Sequence, residues 1–257
     1  MWSREELKSR AKAVLKLNYW KALLISLVIT IAGGNGSSGG NGEGSNRFNN
    51  DNISSTDNGI LSNSIFSNVT ANVIAIIALG AFIILLIIVV VSAFRIFLGY
   101  PLEVGGRRYF IKSARYEDNK NCFSFAFFKE NYSGIVFTML LKGLQNFLWY
   151  LLFIIPGIVK SYSYSMVPYI LAENPNIGIR RAIELSNDMT DGHKFDMFVL
   201  DLSFIGWYLL CLLTLGIGFL FLAPYINATK AELYLVLREN ALNSGLCKHE
   251  ELLCEKL

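Results

Sequence analysis

The most constraining feature of the sequence is the uncharged run VTANVIAIIALGAFIILLIIVVVSAF at residues 69–94. A membrane-spanning helix needs about 20 consecutive, mostly apolar residues, and this run exceeds that length. Charged residues make up only 17% of the chain, against about 25% in an average soluble domain, because other long stretches also lack charges. The sequence therefore predicts an all-α integral membrane protein.

The N-terminal stretch SREELKSRAKAVLKLNYW predicts a helix that begins beside Ser3, since Ser3 and Glu6 have the spacing of a capping box. Its apolar residues share one face and its basic residues mostly surround the other. This pattern favours a cytoplasmic amphipathic helix on a membrane surface at residues 1–19, with a solvated lead-in as the alternative. A first crossing follows at 20–33, although a basic start before a short apolar run also resembles a cleaved signal peptide.

The rest of the chain alternates between apolar runs and polar or basic segments. Residues 34–68 are rich in glycine, asparagine and serine and bury too little apolar surface to fold. We predict a disordered external loop at 34–68, a second crossing at 69–94, a basic cytoplasmic segment at 95–132, a third crossing at 133–155, a fourth at 158–173, a cytoplasmic interfacial helix at 174–195, a fifth crossing at 196–214, a sixth at 219–237 and a cytoplasmic tail at 238–257.

An internal repeat groups these crossings. The motif Trp-Tyr-Leu-Leu occurs at residues 149–152 and again at 207–210, and each copy leads through a glycine-containing turn to Pro-Tyr-Ile. Each copy therefore predicts a helical hairpin, and the first two crossings resemble a divergent third copy. We expect a single domain, residues 1–257, with six transmembrane helices arranged as three helical hairpins and short interfacial amphipathic helices. The predicted hairpin turns contain Pro156, Gly157, Gly216 and Gly218.

The basic residues predict the orientation of the crossings. Five Lys or Arg residues precede Tyr19 and seven lie within 95–132, whereas the loop at 34–68 contains only Arg47. Cytoplasmic loops carry the excess of Lys and Arg, so both termini are expected in the cytoplasm. Basic residues beside a bilayer also attract anionic lipid. The residues that we expect to face lipid headgroups are Arg107, Arg108, Lys112, Arg115, Arg180 and Arg181.

Two charged residues lie inside predicted crossings, Lys142 in the third and Asp201 in the fifth. Charges within a membrane are costly and usually paired or functional. Lys142 and Asp201 have similar predicted depths, which suggests an intramembrane ion pair that fixes helix register. The alternatives are that one side chain reaches the interface, or that both line a path for a substrate or proton.

The sequence resembles a bacterial membrane family known as domain of unknown function family 975. The similarity includes Leu-Ser-Phe-Ile-Gly-Trp at 202–207, and the N-terminal LKSRAKAVLKLNYWKAL and YPLEVGGRRYF look like the same family. Other resembling positions are Glu173, Asn174, Pro175, Ala182, Ser186, Met189, Gly192, Lys194, Gly218, Pro224, Tyr225 and Tyr234. The resemblance implies a multi-pass protein of the bacterial cytoplasmic membrane and brings no catalytic residue. The hairpins are more distantly similar to the membrane domain of some glycerophosphodiester phosphodiesterases.

The sequence gives little support to an enzyme. Neither His193 nor His249 has neighbours spaced as a nucleophilic site, and Cys247, His249 and Cys254 match no zinc pattern. We therefore expect no catalytic activity, no metal, no cofactor and no nucleic-acid partner. The favoured interpretation is an envelope protein that binds membrane lipids, anionic ones included, or a membrane-protein partner or second copy. The alternative is a small oligomeric transporter or channel that uses Lys142 and Asp201.

Overall fold

The computed structural model describes residues 2–33, 62–214 and 216–252. These residues form helices and turns with no strand among them, which confirms the all-helical prediction. The helices are α1 (Arg4–Ile31), α2 (Ser62–Phe94), α3 (Tyr100–Ala114), α4 (Cys122–Phe127), α5 (Lys129–Leu152), α6 (Ile154–Ser163), α7 (Val167–Glu173), α8 (Ile179–Thr190), α9 (Lys194–Leu202), α10 (Ile205–Leu213), α11 (Gly218–Asn243) and α12 (His249–Leu252), with a π-helical turn at Arg95–Gly99 before α3.

The chain divides into two compact units, Gly40–Phe94 and the remainder, Met1–Gly39 with Arg95–Leu257. The smaller unit contains α2, whose large apolar side chains from Val73 onward are exposed on all sides. A helix that is apolar all round requires apolar surroundings, as in a membrane span. It begins at Ser62, so residues 62–68 are helical and not part of the predicted loop. The rest of that loop, 34–61, lies outside the described residues.

Within the described residues, four helical stretches are long and apolar enough to cross a membrane: Arg4–Ile31, Val73–Ala114, Lys129–Leu152 and Lys194–Leu213. They include the predicted first, second, third and fifth crossings. The predicted crossing at 158–173 is divided between α6 and α7, which have only 10 and 7 residues. The predicted crossing at 219–237 lies in α11, whose middle turns bury polar side chains. The prediction of six crossings in three hairpins is therefore not confirmed.

Helix α1 unites the predicted amphipathic helix and the first crossing. The Ser3 side chain accepts a hydrogen bond from the Glu6 backbone N–H at 3.2 Å, as expected of an N-cap. Asn18 interrupts the helix with φ −143° and ψ 41°. The N-terminal apolar face, which includes Leu7 and Ala11, is buried inside the protein, where α1 packs mainly along α11. This corrects the expectation that the face lies on a membrane surface, because protein already covers it.

The first predicted hairpin turn is displaced along the chain. The break between α5 and α6 lies at Phe153, and Pro156 and Gly157 are part of the first turn of α6. Proline is tolerated there because first-turn amides lack intrahelical acceptors. Gly157 allows the two helices to approach closely, since a Cβ atom at this position would lie 2.6 Å from the Tyr150 ring.

The second predicted turn joins α10 to α11. Gly216 has a φ of +86°, a left-handed conformation that favours glycine. Its backbone N–H donates to the Cys211 carbonyl at 3.0 Å, and Gly218 begins α11. A Cβ atom on Gly218 would lie 2.8 Å from Cys211 Sγ. Gly216 therefore allows the turn, and Gly218 allows α11 to approach α10 closely.

Helix α3 is largely enclosed in the larger unit, with nine of its 15 residues buried. It packs against α1, α4, α7 and α11. Its contact with α1 depends on Gly106, because a Cβ atom there would lie 2.4 Å from Cγ1 of the fully buried Ile29. Such a distance leaves no room for any other residue unless the Ile29 side chain or one of the helices moves.

We expect Gly106→Ala to lower the free energy of unfolding by about 1–3 kcal/mol, because the added methyl group overpacks the contact between α1 and α3. The matched control is Gly206→Ala in α10, where a Cβ atom would meet nothing within 4 Å. That substitution should be neutral or stabilising by up to about 1 kcal/mol, since alanine favours helix. Thermal unfolding of the full-length protein in detergent measures both changes. Equal effects of the two substitutions would contradict the close contact.

Candidate functional site: a buried charge network

The first branch of the network is centred on Arg107 in α3. Its Nη1 donates to Asn227 Oδ1 in α11 at 2.7 Å and to the Tyr169 hydroxyl in α7 at 3.2 Å. Its Nη2 lies 3.8 Å from Glu103 Oε1, one helical turn away. All four side chains are buried. Asn227 also donates to Ser26 Oγ in α1 at 3.0 Å, so this branch connects α1, α3, α7 and α11.

The second branch is centred on Glu173, the last residue of α7. Its Oε2 accepts hydrogen bonds from the Tyr234 hydroxyl at 2.6 Å and from Arg238 Nε at 2.9 Å, both in α11. Its Oε1 forms an ion pair with Arg115, just after α3. The carboxylate is only 5% exposed. Each of its oxygens is therefore held by at least one cationic partner.

Aromatic stacking joins the two branches. The Tyr169 and Tyr234 rings stack with centroids 5.3 Å apart and planes inclined by 20°. The Arg107 guanidinium lies 5.2 Å from the centre of the Tyr169 ring. We define the buried charge network as Glu103, Arg107, Arg115, Tyr169, Glu173, Asn227, Tyr234 and Arg238.

The network is suited to stabilising the packing of helices, because its ion pairs and hydrogen bonds connect side chains from different helices. A buried charge is costly unless it is paired and hydrogen-bonded, and here both carboxylates face guanidinium groups. None of its members is a histidine, cysteine or serine that could act as a nucleophile beside a general base. Among the described residues, no group of three or more His, Cys, Asp or Glu side chains could hold a metal ion.

The structure corrects the placement of three of the six basic residues that were expected to face lipid. Arg107 is buried in the network, and Arg115 pairs with Glu173. Arg108 donates to the Ala172 carbonyl and lies 3.7 Å from the centre of the Phe125 ring. These three cations are directed into the protein because α7 provides oxygen acceptors there and α4 provides an aromatic ring.

The remaining three basic residues lie nearer the surface. Lys112 Nζ donates to the Asp118 carbonyl at 3.2 Å, and Arg181 binds Glu251 and the Leu246 carbonyl. Arg180 is exposed on α8. Of the six residues, Arg180 thus has the environment closest to that predicted.

The structure gives Asp201 a different ion-pair partner from the one predicted. Its Oδ1 lies 3.2 Å from Lys230 Nζ in α11, and its Oδ2 accepts a hydrogen bond from the Tyr162 hydroxyl at 3.2 Å. Lys142 is partly buried in α5, within electrostatic range of Glu103. The predicted Lys142–Asp201 pair is thus replaced by a Lys230–Asp201 pair, because α11 brings Lys230 beside α9.

A separate ion pair attaches the C-terminal helix α12. Arg181 Nε and Nη2 each lie 3.1 Å from a different Glu251 oxygen, and the Asn174 side chain donates to the Glu251 carbonyl at 3.0 Å. Hydrogen bonds from Arg181 and from the Lys248 backbone N–H hold the pKa of Glu251 below its ordinary value of 4.5. Leu252 is fully buried beneath this contact.

We expect the attachment of α12 to weaken in acid. Because the folded-state pKa of Glu251 lies below the unfolded value, its stabilising contribution is present above about pH 4.5 and is lost as the pH falls through the folded-state pKa. At pH 6, Glu251→Gln should increase hydrogen exchange across residues 246–252 by about two- to fivefold, as expected for a pair that is one-third exposed. Glu250→Gln, an exposed neighbour, is the control and should leave exchange unchanged. Identical exchange in all three proteins would contradict the role of Glu251.

Sequence analysis did not find the acceptors of the network. Glu103 lies in the family-like stretch YPLEVGGRRYF and Tyr169 in a repeated Pro-Tyr-Ile motif, but neither pattern shows that these side chains meet Arg107 or Asn227. Glu173 and Tyr234 stood out only as positions of family resemblance. Acidic and amide side chains within apolar segments are a signal for buried partners of basic residues. The signal does not identify the pairs, because that requires knowing which helices are in contact.

The part of the chain that the structure describes is helical, contains four stretches of membrane-spanning length and composition, and buries a network of charged side chains in its core. Residues 153–241 match the sequence model of a family described as "Protein of unknown function (DUF975)". The match confirms the resemblance to domain of unknown function family 975 and includes Tyr169, Glu173, Asn227, Tyr234 and Arg238. It gives no support to a relationship with glycerophosphodiester phosphodiesterases. Searches of curated proteins and of solved structures found no match.

Proposed function

We propose that the protein is a non-catalytic, multi-pass protein of a bacterial cytoplasmic membrane, with both termini in the cytoplasm, and that it binds membrane lipid. One surface of α1 carries the proposal. We call it the α1 interface surface and define it by Lys16, Leu17, Trp20, Lys21 and Leu24, all of which are exposed. Its residues lie on both sides of Asn18, where the helix is interrupted.

The α1 interface surface has the chemistry of a water–lipid boundary. Trp20 is 74% exposed and Leu17 66% exposed, which is unfavourable in water. Tryptophan is enriched at the level of lipid headgroups, and lysines in that position attract anionic lipids. The cations of α3 are largely occupied within the protein, so the lysines of α1 are better candidates for lipid contact.

Native mass spectrometry of the full-length protein, extracted together with its surrounding membrane, tests this proposal. We expect anionic phospholipids to be released at a fixed ratio to protein. A second protein at fixed stoichiometry would favour a membrane partner as the ligand. Protein without lipid or partner would overturn the proposal, and substrate-dependent flux in liposomes that is lost in Lys142→Ala would then support a transporter.

A further inference from the structure

A cavity of about 450 Å³ lies between α1, the second half of α3 and residues 119–124. Lys21 and Lys120 contribute the cationic part of its lining, and Leu24, Ile25 and Phe123 contribute an apolar part. Among the described residues that line it, none is acidic. The cavity therefore combines positive charge with apolar surface.

The charge of the cavity is weakly compensated by the protein. Lys120 Nζ lies 3.8 Å from Asp118 Oδ2, but the two side chains are 83% and 69% exposed. An exposed pair of this kind contributes little, because water screens both charges. Lys21 is likewise exposed. Two ammonium groups in the lining are thus available to an anionic ligand.

Tyr109 supplies a third polar group. Its side chain is only 3% exposed, and its hydroxyl is enclosed without a hydrogen bond of normal geometry to any described residue. Ser113 is near enough to influence the hydroxyl but does not meet that geometry. An enclosed hydroxyl without a partner is unfavourable, and a small rotation of the Tyr109 ring would bring it to a ligand oxygen in the cavity that could act as its acceptor.

The surroundings of the cavity indicate an amphiphilic ligand. Leu24 belongs both to its lining and to the α1 interface surface, where it is 61% exposed. A ligand whose charged group occupies the cavity can therefore extend an apolar chain along α1 without leaving apolar surroundings. A free phosphate ion has the required charge but makes no use of Leu24, Ile25 or Phe123.

We propose that this cavity binds the phosphate-bearing headgroup of an anionic membrane lipid. The inference rests on the proposed lipid-binding function and assigns it a site. Lys21 and Lys120 contact the phosphate as point charges, and the Tyr109 hydroxyl donates to a headgroup oxygen. The acyl chains lie against the apolar side chains of α1.

The test is a native mass-spectrometry titration of the delipidated full-length protein in detergent. The probes are phosphatidylglycerol and phosphatidylcholine with identical acyl chains, with inorganic phosphate as a competitor. We expect a preference for phosphatidylglycerol that falls about 25-fold in Lys21→Ala/Lys120→Ala, since each of the two basic residues near anionic lipid contributes about fivefold in affinity. Tyr109→Phe, which removes only the hydroxyl, should weaken the first binding event by about three- to tenfold. The control is Lys129→Ala/Lys248→Ala, which removes two exposed lysines that lie neither in the cavity lining nor on the α1 interface surface.

The possible outcomes distinguish the proposal that the cavity is the binding site from the proposal that the protein binds lipid. Equal losses in the cavity and control variants would overturn the site and leave lipid binding as a general surface property. Displacement of phosphatidylglycerol by inorganic phosphate at similar concentrations, or binding of phosphate alone, would overturn the lipid as the ligand. Absence of any lipid preference in the unaltered protein would overturn the proposed function as well.

Discussion

Glu173→Gln should lower the free energy of unfolding by about 3–5 kcal/mol, the usual loss when one partner of a buried ion pair is removed. The substitution keeps the size of the side chain but leaves Arg115 and Arg238 facing a neutral amide. Both arginines are then inside the protein without their carboxylate partner. The midpoint of thermal unfolding in detergent, measured on the full-length protein, reports the change.

The control for this prediction is Glu184→Gln on the exposed face of α8, which should change stability by less than about 0.5 kcal/mol. Tyr234→Phe removes only one donor to Glu173 and should cost about 1.5–3 kcal/mol. If Glu173→Gln does not yield folded protein, Tyr234→Phe still tests the branch. A loss below about 1 kcal/mol in Glu173→Gln would show that the carboxylate does not hold α3 and α11 to α7.

Arg107→Met should cost a similar amount, about 3–5 kcal/mol, because Glu103 would lose the guanidinium beside it and Asn227 would lose a donor. Methionine keeps much of the apolar stem, so the loss reports the charge and its hydrogen bonds. This outcome differs sharply from that for a lipid-facing arginine, which would affect lipid binding with little change in stability.

Arg180→Met is the matched control, since Arg180 is exposed on α8. Its stability should change by less than about 0.5 kcal/mol. In Arg107→Met/Glu103→Leu the unpaired carboxylate is also removed, and part of the loss should be recovered, with a coupling energy of about 0.5–3 kcal/mol. Purely additive losses would indicate that the two side chains do not interact.

The sequence was a reliable guide where composition alone determines structure. Helix α2 follows from an uninterrupted apolar run that admits one interpretation, and Ser3 is an N-cap because its hydroxyl acts within its own turn. The kink at Asn18 also falls where an amphipathic pattern gives way to an apolar one. These features depend on contacts between residues close in sequence.

The burial of Arg107 could not be obtained in the same way. Its partners Tyr169 and Asn227 are 62 and 120 residues away, and no local pattern shows that they converge. A basic residue beside an apolar run has the same appearance whether it faces headgroups or an acceptor on another helix. The partner of Asp201 was misassigned for the same reason, since Lys230 lies on a helix whose approach to α9 is a tertiary feature.

The separation between Arg107 and Asn227 also has a consequence for biosynthesis. At a synthesis rate of about 5–20 residues per second, the 120 residues between them take roughly 6–24 s to translate. Throughout that interval the guanidinium lacks its asparagine acceptor, and Glu103 is the partner in its branch that has already been synthesised. The burial of Arg107 between α3 and α11 therefore cannot be completed before α11 has been synthesised.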